Sequence, residues 1–438
     1  MNRTAPPGSA PSGRDFAIFW AVQTLSVGGA SFSYVAIPLL VLDVTGSVGQ
    51  MGLITGASGV GALVAGVFAG VLVDRVDRRA LLIWCDAVRA LLYALVPLVW
   101  LASPRLWLLY LVMPLGSALA MVFQVGYVSV LPSLVPADRI TQANGRLYAS
   151  YAAAGVVGPM LAGGLCALLG PAVAIGVDAV TFAVSAAGLC LVRLRPRAGE
   201  RVPAPEPTPV ASRSRGRWAR LVPTELLVGA RFLGRQPLLR ALTGRLALLT
   251  FLTFGLTDLY VYHLRHGLGG SEATVGHVLA AATLGTVVAS LLVAPARRRL
   301  GFGVCWIGSF TLAGTAIALL GAAGDAGTVA ALAALVVFGT SVAGICSVSL
   351  RQEITPDPLL GRVTSAFWTI HTAPGPLGAA LLTATAARWG APVVFLIIGG
   401  GCLLVAASAL FSPIGRAGRW AGGSAARRPA DVTATAVD

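Results

Sequence analysis

The chain has 438 residues, 56% of them hydrophobic and only 11% charged, with a mean hydropathy of +0.81. It has too few polar residues to cover a soluble globule and belongs in a bilayer. All 32 basic residues are Arg and none is Lys, which excludes a Walker A phosphate loop and Schiff-base chemistry within this chain.

From the N-terminus, residues 1–15 are polar and Pro-rich and are expected to be disordered, with no cleavable leader. Apolar runs of spanning length then fall at about 16–42, 49–73, 80–102, 106–130, 146–171 and 172–193. A Pro- and Arg-rich linker follows at 194–238, within which Glu225 to Phe232 is compatible with a short amphipathic helix lying on the membrane. A second set of runs occupies about 240–263, 272–296, 302–322, 326–350, 362–387 and 391–412, and the tail 413–438 is expected to be disordered. The predicted fold is an all-α polytopic membrane protein of twelve spans, in halves 16–193 and 239–412.

The net charge of +15 is read as topology and not as a nucleic-acid surface. Only Arg105, Arg265 and Arg388 fall on one side, while Arg89 and Arg245 fall within spans. The remaining Arg residues share the other side, which is cytoplasmic by the positive-inside rule and holds both termini. The six Cys residues lie in apolar segments with neither C-x-x-C nor His at ligand spacing, so no metal is expected.

The halves repeat in sequence. Gly52, Gly61 and Arg75 map onto Gly276, Gly285 and Arg299. Pro136 maps onto Pro356, and Gly158-Pro159 onto Gly375-Pro376.

Between the second and third spans stands GVLVDRVDRR, with Gly70, Asp74, Arg75, Arg78 and Arg79. In the fifth span stands GVVGPMLAGG, with Gly155, Gly158, Pro159 and Gly163; Pro bends the helix, and Gly permits close contact. The first motif resembles the loop G-x-L-a-D-R-x-G-R-R of major facilitator superfamily transporters, with Asp77 where Gly is usual. The second resembles the G-x-x-x-G-P-x-x-G-G signature of that superfamily's proton-coupled exporters, with Ala162 inserted. Together with LVPADRITQANGRLYASYAAAGVVGPMLAGG, VDAVTFAVSAAGLCLVRLR, RFLGRQPLLRAL and SLRQEITPDPLLGRVTSAF, they make nearly the whole chain similar to bacterial multidrug, macrolide and siderophore exporters of the enterobactin-exporter type.

The resemblance implies a latch, in which Asp74 accepts from backbone N–H groups at the start of the eleventh span near Arg362 and holds the cytoplasmic side shut. The alternative is that the loop only fixes topology. Family members often carry an Asp near Gly29; Gly28 and Gly29 stand here, so a proton relay through that position is not expected.

Charges within spans are expensive and so are functional candidates. Asp86 and Arg89, three residues apart, read as a self-neutralised pair bracing the loop, with a proton relay as the alternative. His371 and Asp258, ranked together, and after them Asp178 are the proton-coupling candidates, each set against a structural reading: packing for His371, contact with outer water beside His263 for Asp258, hydrogen bonding for Asp178. Gln23, Gln124, Tyr151, Phe254 and Trp368 fall on spans whose family counterparts line the central cavity, a set suited to a large amphipathic or aromatic substrate.

The expected protein is a monomeric exporter of a small amphipathic molecule in the bacterial cytoplasmic membrane, driven by the proton gradient without other cofactor. A nutrient importer of the same fold is the runner-up, followed by a non-transporting scaffold. An enzyme is disfavoured because His263, His266, His277 and His371 form no H-E-x-x-H pattern.

Overall fold

The computed structural model describes residues 13–135, 140–192, 226–356 and 359–416. Residues 1–12 and 417–438 of the expected tails, and the linker before residue 226, lie outside these residues, as does Pro136; residues 13–15 and 413–416, expected to be disordered, are helical. Among the described residues every regular element is a helix.

The first half comprises α1 (Gly13–Thr45), α2 (Val48–Arg75), α3 (Arg78–Ala102), α4 (Leu106–Leu134), α5 (Ile140–Leu169) and α6 (Pro171–Leu191). A short helix α7 at residues 226–235 precedes the second half. That half holds α8 (Pro237–Thr253), α9 (Leu256–Tyr262) ending in a π-turn (His263–Gly267), α10 (Glu272–Leu320), α11 (Ala326–Ile354), α12 (Leu360–Thr372), α13 (Gly375–Trp389), α14 (Ala391–Leu410) and a final turn α15 (Pro413–Arg416). We call the end of the bundle bearing the Val76–Asp77 turn the linker end and the opposite end, at Gly46 and Gly170, the distal end.

Among the described residues ten helices are long and apolar enough to cross a membrane. At 49 residues α10 is too long to be one of them unbroken. Its first part runs alongside α11 in the same direction, with Thr286 bonded to Ser341 and Arg297 to Glu353. Its second part runs in the opposite direction, since Trp306 bonds to Ser347 while Ser309 packs on Gly339. The reversal is at Gly301, where φ is 80° and ψ 170°, a conformation open to glycine and strained for other residues. Gly301→Ala is therefore expected to cost about 1–3 kcal/mol, visible as a lower Tm of the purified protein.

Conversely α12 and α13 are each too short to span, and meet at Pro374, whose neighbour Pro376 also lacks an N–H. Among the described residues, α10 thus carries two antiparallel apolar stretches, and α12 with α13 makes one interrupted stretch.

The repeat is visible in the backbone. The α5–α6 and α13–α14 joints turn on Gly170 (φ 84°, ψ 158°) and Gly390 (φ 83°, ψ 157°), each followed by a Pro within the first helical turn. Two unrelated halves would not be expected to share so unusual a turn at a sequence offset like that of the other paired positions.

The helix α7 is present, but α12 covers it. Leu233 and Leu239 are buried with Val363, Ala366 and Phe367, and a Cβ on Gly229 would lie 2.2 Å from the Arg362 carbonyl oxygen. Its apolar residues find this partner in the protein, which the sequence pattern does not reveal.

Candidate functional site

At the linker end, the residue that departs from the usual loop pattern has a structural purpose. Asp77 is the N-cap of α3, its carboxylate accepting from Ala80 N at 2.7 Å, so it supplies the turn that Gly would otherwise provide. Arg79 donates through Nε to Leu189 O at 2.9 Å and through Nη2 to Cys190 O, satisfying carbonyls at the last turn of α6. Arg79 therefore does more than mark topology. A Cβ on Gly70 would meet nothing within 4 Å, and Arg75 and Arg78 both have interaction partners. The Asp74 backbone continues α2; its side chain, and with it the latch, lies outside what is described.

At the distal end the two halves close on each other through glycine. On one side α5 meets α10: a Cβ on Gly276 would stand 2.3 Å from the Pro159 carbonyl oxygen and 2.8 Å from Gly163 Cα, and one on Gly155 would stand 3.1 Å from Thr283. On the other side α2 meets α13: a Cβ on Gly56 would stand 2.8 Å from the Pro376 carbonyl oxygen, and one on Gly52 1.9 Å from Thr383 Oγ1. Pro159 and Pro376 are the repeat-related prolines, so the two seals are equivalents. Gly158 belongs to neither, since its Cβ would strike Ser31 of α1 in the same half.

Polar contacts cross the same seam. Tyr34 Oη lies 2.9 Å from Thr257 Oγ1, and Arg265 stands 3.4 Å from Asp43 across it and 4.0 Å from Glu272 of its own half. These last are partly exposed pairs, worth about 0–1 kcal/mol each. Arg265→Gln is accordingly expected to leave Tm almost unchanged, within roughly 2 °C for a chain of this size, in a thermal scan.

Asp258 is the buried acid of this seam. It is 2% exposed, with the Thr55 hydroxyl of α2 against its carboxyl and no hydrogen-bond partner on Oδ2. The expectation that it meets outer water is corrected, because α2 of the other half covers it.

His371 is buried, its Nδ1 2.9 Å from Phe367 O and its ring 4.6 and 4.8 Å from those of Phe367 and Trp368. Asp178 is buried inside the first half, accepting from Ser33 of α1. Asp86 and Arg89 pair at 3.5 Å, and both charges also act on Asp178.

The five cavity candidates separate. Gln23 is buried between α1 and α6, with Nε2 3.4 Å from Ser185 Oγ, so it packs inside one half. Phe254 is wedged between Gly59 and Gly375 as part of the α2–α13 seal. Gln124 and Trp368 are exposed. Tyr151 donates to Tyr127 Oη at 2.8 Å, within a group that includes Phe19 and the exposed Tyr148.

One residue escaped the sequence reading. Arg351, in the last turn of α11, is 2% exposed, with Nε and Nη1 unpartnered and its guanidinium 4.1 Å from the Phe367 ring centroid. Its position near a span end made it look like one more topological Arg.

Comparison with known proteins agrees with this architecture. The chain is 28% identical over 382 residues to the enterobactin exporter of Shigella boydii serotype 18, covering 84% of this chain and 83% of that protein. It is 27% identical over 378 residues to the exporter of the same name from Escherichia coli O1:K1 / APEC, with the same coverage. Among solved structures, a bacterial homolog of the human lysosomal transporter Spinster, inward-facing and unoccupied, superposes with a TM-score of 0.71 at 14% identity, covering 94% of this chain and 98% of that one. The nucleoside transporter NupG superposes with a TM-score of 0.65 at 14% identity, covering 91% and 98%. The family model of the Major Facilitator Superfamily matches residues 19–264. With more than half its length matched by that family and its two halves closing through repeat-related seals, the chain belongs to the Major Facilitator Superfamily.

Proposed function

We propose that this transporter exports a small amphipathic molecule in exchange for protons, working by alternating access as a monomer in the bacterial cytoplasmic membrane. The linker end is cytoplasmic in this reading, as the Arg distribution favours, and the distal seam faces outward.

The observation that carries the reading is the pair of repeat-related glycine seals, with the buried carboxyl of Asp258 set into the seam between them. Helix pairs held by glycine on carbonyl, with few strong polar bonds across them, can part without a large penalty. Rocking about a central site then exposes it to either side. Export rather than import is supported by the Gly155–Gly163 motif and by relatives named as exporters. The exposed Trp368 and Gln124, with the tyrosine group of Tyr127, Tyr148 and Tyr151, offer stacking and a few directional polar groups to an amphipathic substrate.

Everted vesicles test the proposal, with Hoechst 33342 and ethidium as amphipathic probes. An imposed pH gradient is expected to drive their accumulation at several times the rate of vesicles lacking the protein, and collapsing the gradient should stop it. Accumulation indifferent to the gradient would remove proton antiport. Concentration of probe only by right-side-out vesicles would favour the importer.

A further inference from the structure

Buried charge in the first half does not balance. Asp86 (0% exposed) and Asp178 (1%) are enclosed between α1, α3 and α6, and among the described residues Arg89 is the only cation that acts on both. Its Nη1 is 3.5 Å from Asp86 Oδ1, its guanidinium lies 3.8 Å from the Phe182 ring centroid, and its charge also acts on Asp178. Two carboxylates with one guanidinium leave a negative charge uncompensated in a low-dielectric interior, a cost that one bound proton removes.

The two acids are equipped differently. Asp178 accepts from Ser33 Oγ, as a carboxylate requires, and the Thr181 hydroxyl, whose shorter bond is to the Asp178 carbonyl, stands 3.4 Å from its other oxygen. Neither oxygen of Asp86 has a donor at hydrogen-bonding geometry, although the Ser185 hydroxyl stands beside it, and Arg89 Nε is also unpartnered. Asp86 is therefore the natural carrier of the proton.

The other groups facing the cluster are weak acids or neutral. On α3 these are Cys85 and Tyr93. On α1 they are Gln23, bonded to Ser185, and Ser33, bonded to Asp178. The titratable residues of α4 are Tyr110, bonded to Gln50, and Tyr127, bonded to Tyr151. The remaining charges of α1, α3 and α6 (Arg14, Asp15, Asp43, Arg78 and Arg79) stand at helix ends.

We propose that Asp86, Arg89 and Asp178 form a single-proton site enclosed within the first half, and that α1 communicates its occupancy to the distal seam. Ser33 of α1 bonds to Asp178, and the next residue, Tyr34, bonds across the seam to Thr257. The use of this proton in coupling rests on the proton-driven reading above; the existence of the site does not.

The test needs no substrate. Purified protein in lipid nanodiscs is followed by infrared spectroscopy of the protonated-carboxyl C=O band at neutral pH. Asp258→Asn serves as the background, to remove the other buried acid of the spans. One band is expected there, lost on adding Asp86→Asn or Asp178→Asn, and doubled by Arg89→Gln, which leaves two acids with no cation. Misfolding exposes and ionises acids, so it cannot imitate the doubling. A band unmoved by both Asp→Asn changes, or an unchanged intensity in Arg89→Gln, overturns the site.

Spin labels at Ser103 and Gly324, on distal loops of the two halves, then report the seam. Their distance distribution should depend on pH in the otherwise native protein and lose that dependence in Asp86→Asn and Tyr34→Phe; retained dependence in both overturns the role of α1. If the bands behave as expected while the vesicles show no gradient-driven transport, the site stands and the export reading falls.

Discussion

Gly276→Leu is expected to abolish transport while leaving the protein in the membrane, because it prevents closure of the distal side. Gly276 faces α5 of the other half, where even a Cβ would stand 2.3 Å from the Pro159 carbonyl oxygen and 2.8 Å from Gly163 Cα. Backbone cannot give way as a flexible side chain does, so the halves must separate. Overpacking of this kind costs about 1–3 kcal/mol. That cost is charged only to the closed state, shifting its balance with the open state roughly 5- to 150-fold.

The reporter for this shift is Thr283→Cys, which lies two turns along the same face of α10, against Gly155. A membrane-impermeant maleimide applied from outside should label it several times faster in the Gly276→Leu protein. Gly285→Leu, on the same helix, is the control, because its clash is with Ala334 and Phe338 of its own half. It should lower Tm and yield without raising the labelling rate of Thr283→Cys. Equal labelling with and without Gly276→Leu would sink the assignment of this contact as a gate.

Much of the fold was legible in the sequence because spanning helices are written locally. The run ARRRLG between two apolar stretches placed the reversal within α10 close to Gly301. The pairs Gly158-Pro159 and Gly375-Pro376 marked equivalent helices, although only the adjoining carbonyls, and not Gly158 itself, make the inter-half contact. The equivalence of Gly170 and Gly390 was present as Gly followed closely by Pro, and became decisive only with their backbone angles.

What stayed hidden depends on which faces meet. Asp86 and Asp178 are 92 positions apart, and no local spacing brings them to one guanidinium; hence Asp86–Arg89 looked self-sufficient. Gln23 looked like a cavity residue because family counterparts of its span line the cavity, whereas its own side chain turns toward Ser185. Asp258 looked wet because it lies near a span end, while α2 of the other half buries it. Arg351 was lost among the Arg residues that set topology.

Asp74→Asn, compared with Asp77→Asn, should separate latch from cap in the loop between α2 and α3. Asp77 caps α3 by accepting from Ala80 N, and Asn caps about as well as Asp. Asp77→Asn is therefore expected to keep near-native transport and Tm, while Asp77→Ala should cost about 1 kcal/mol of stability and leave transport largely intact. Asp74 lies inside the last turn of α2 (Val48–Arg75), where a negative charge is unfavourable to its own helix, since that end of the dipole is negative. A carboxylate kept against its local helix is best explained by a use elsewhere, and the N-terminus of another helix in a closed cytoplasmic state would supply it. Asn relieves the local cost and gives up the charge. The expected outcome is an unchanged or slightly higher Tm with at least a tenfold loss of gradient-driven probe accumulation, equivalent to about 1.4 kcal/mol of lost coupling. If Asp74→Asn pumps as well as Asp77→Asn at equal expression, Asp74 is no latch, and closure of the linker end must depend on other contacts.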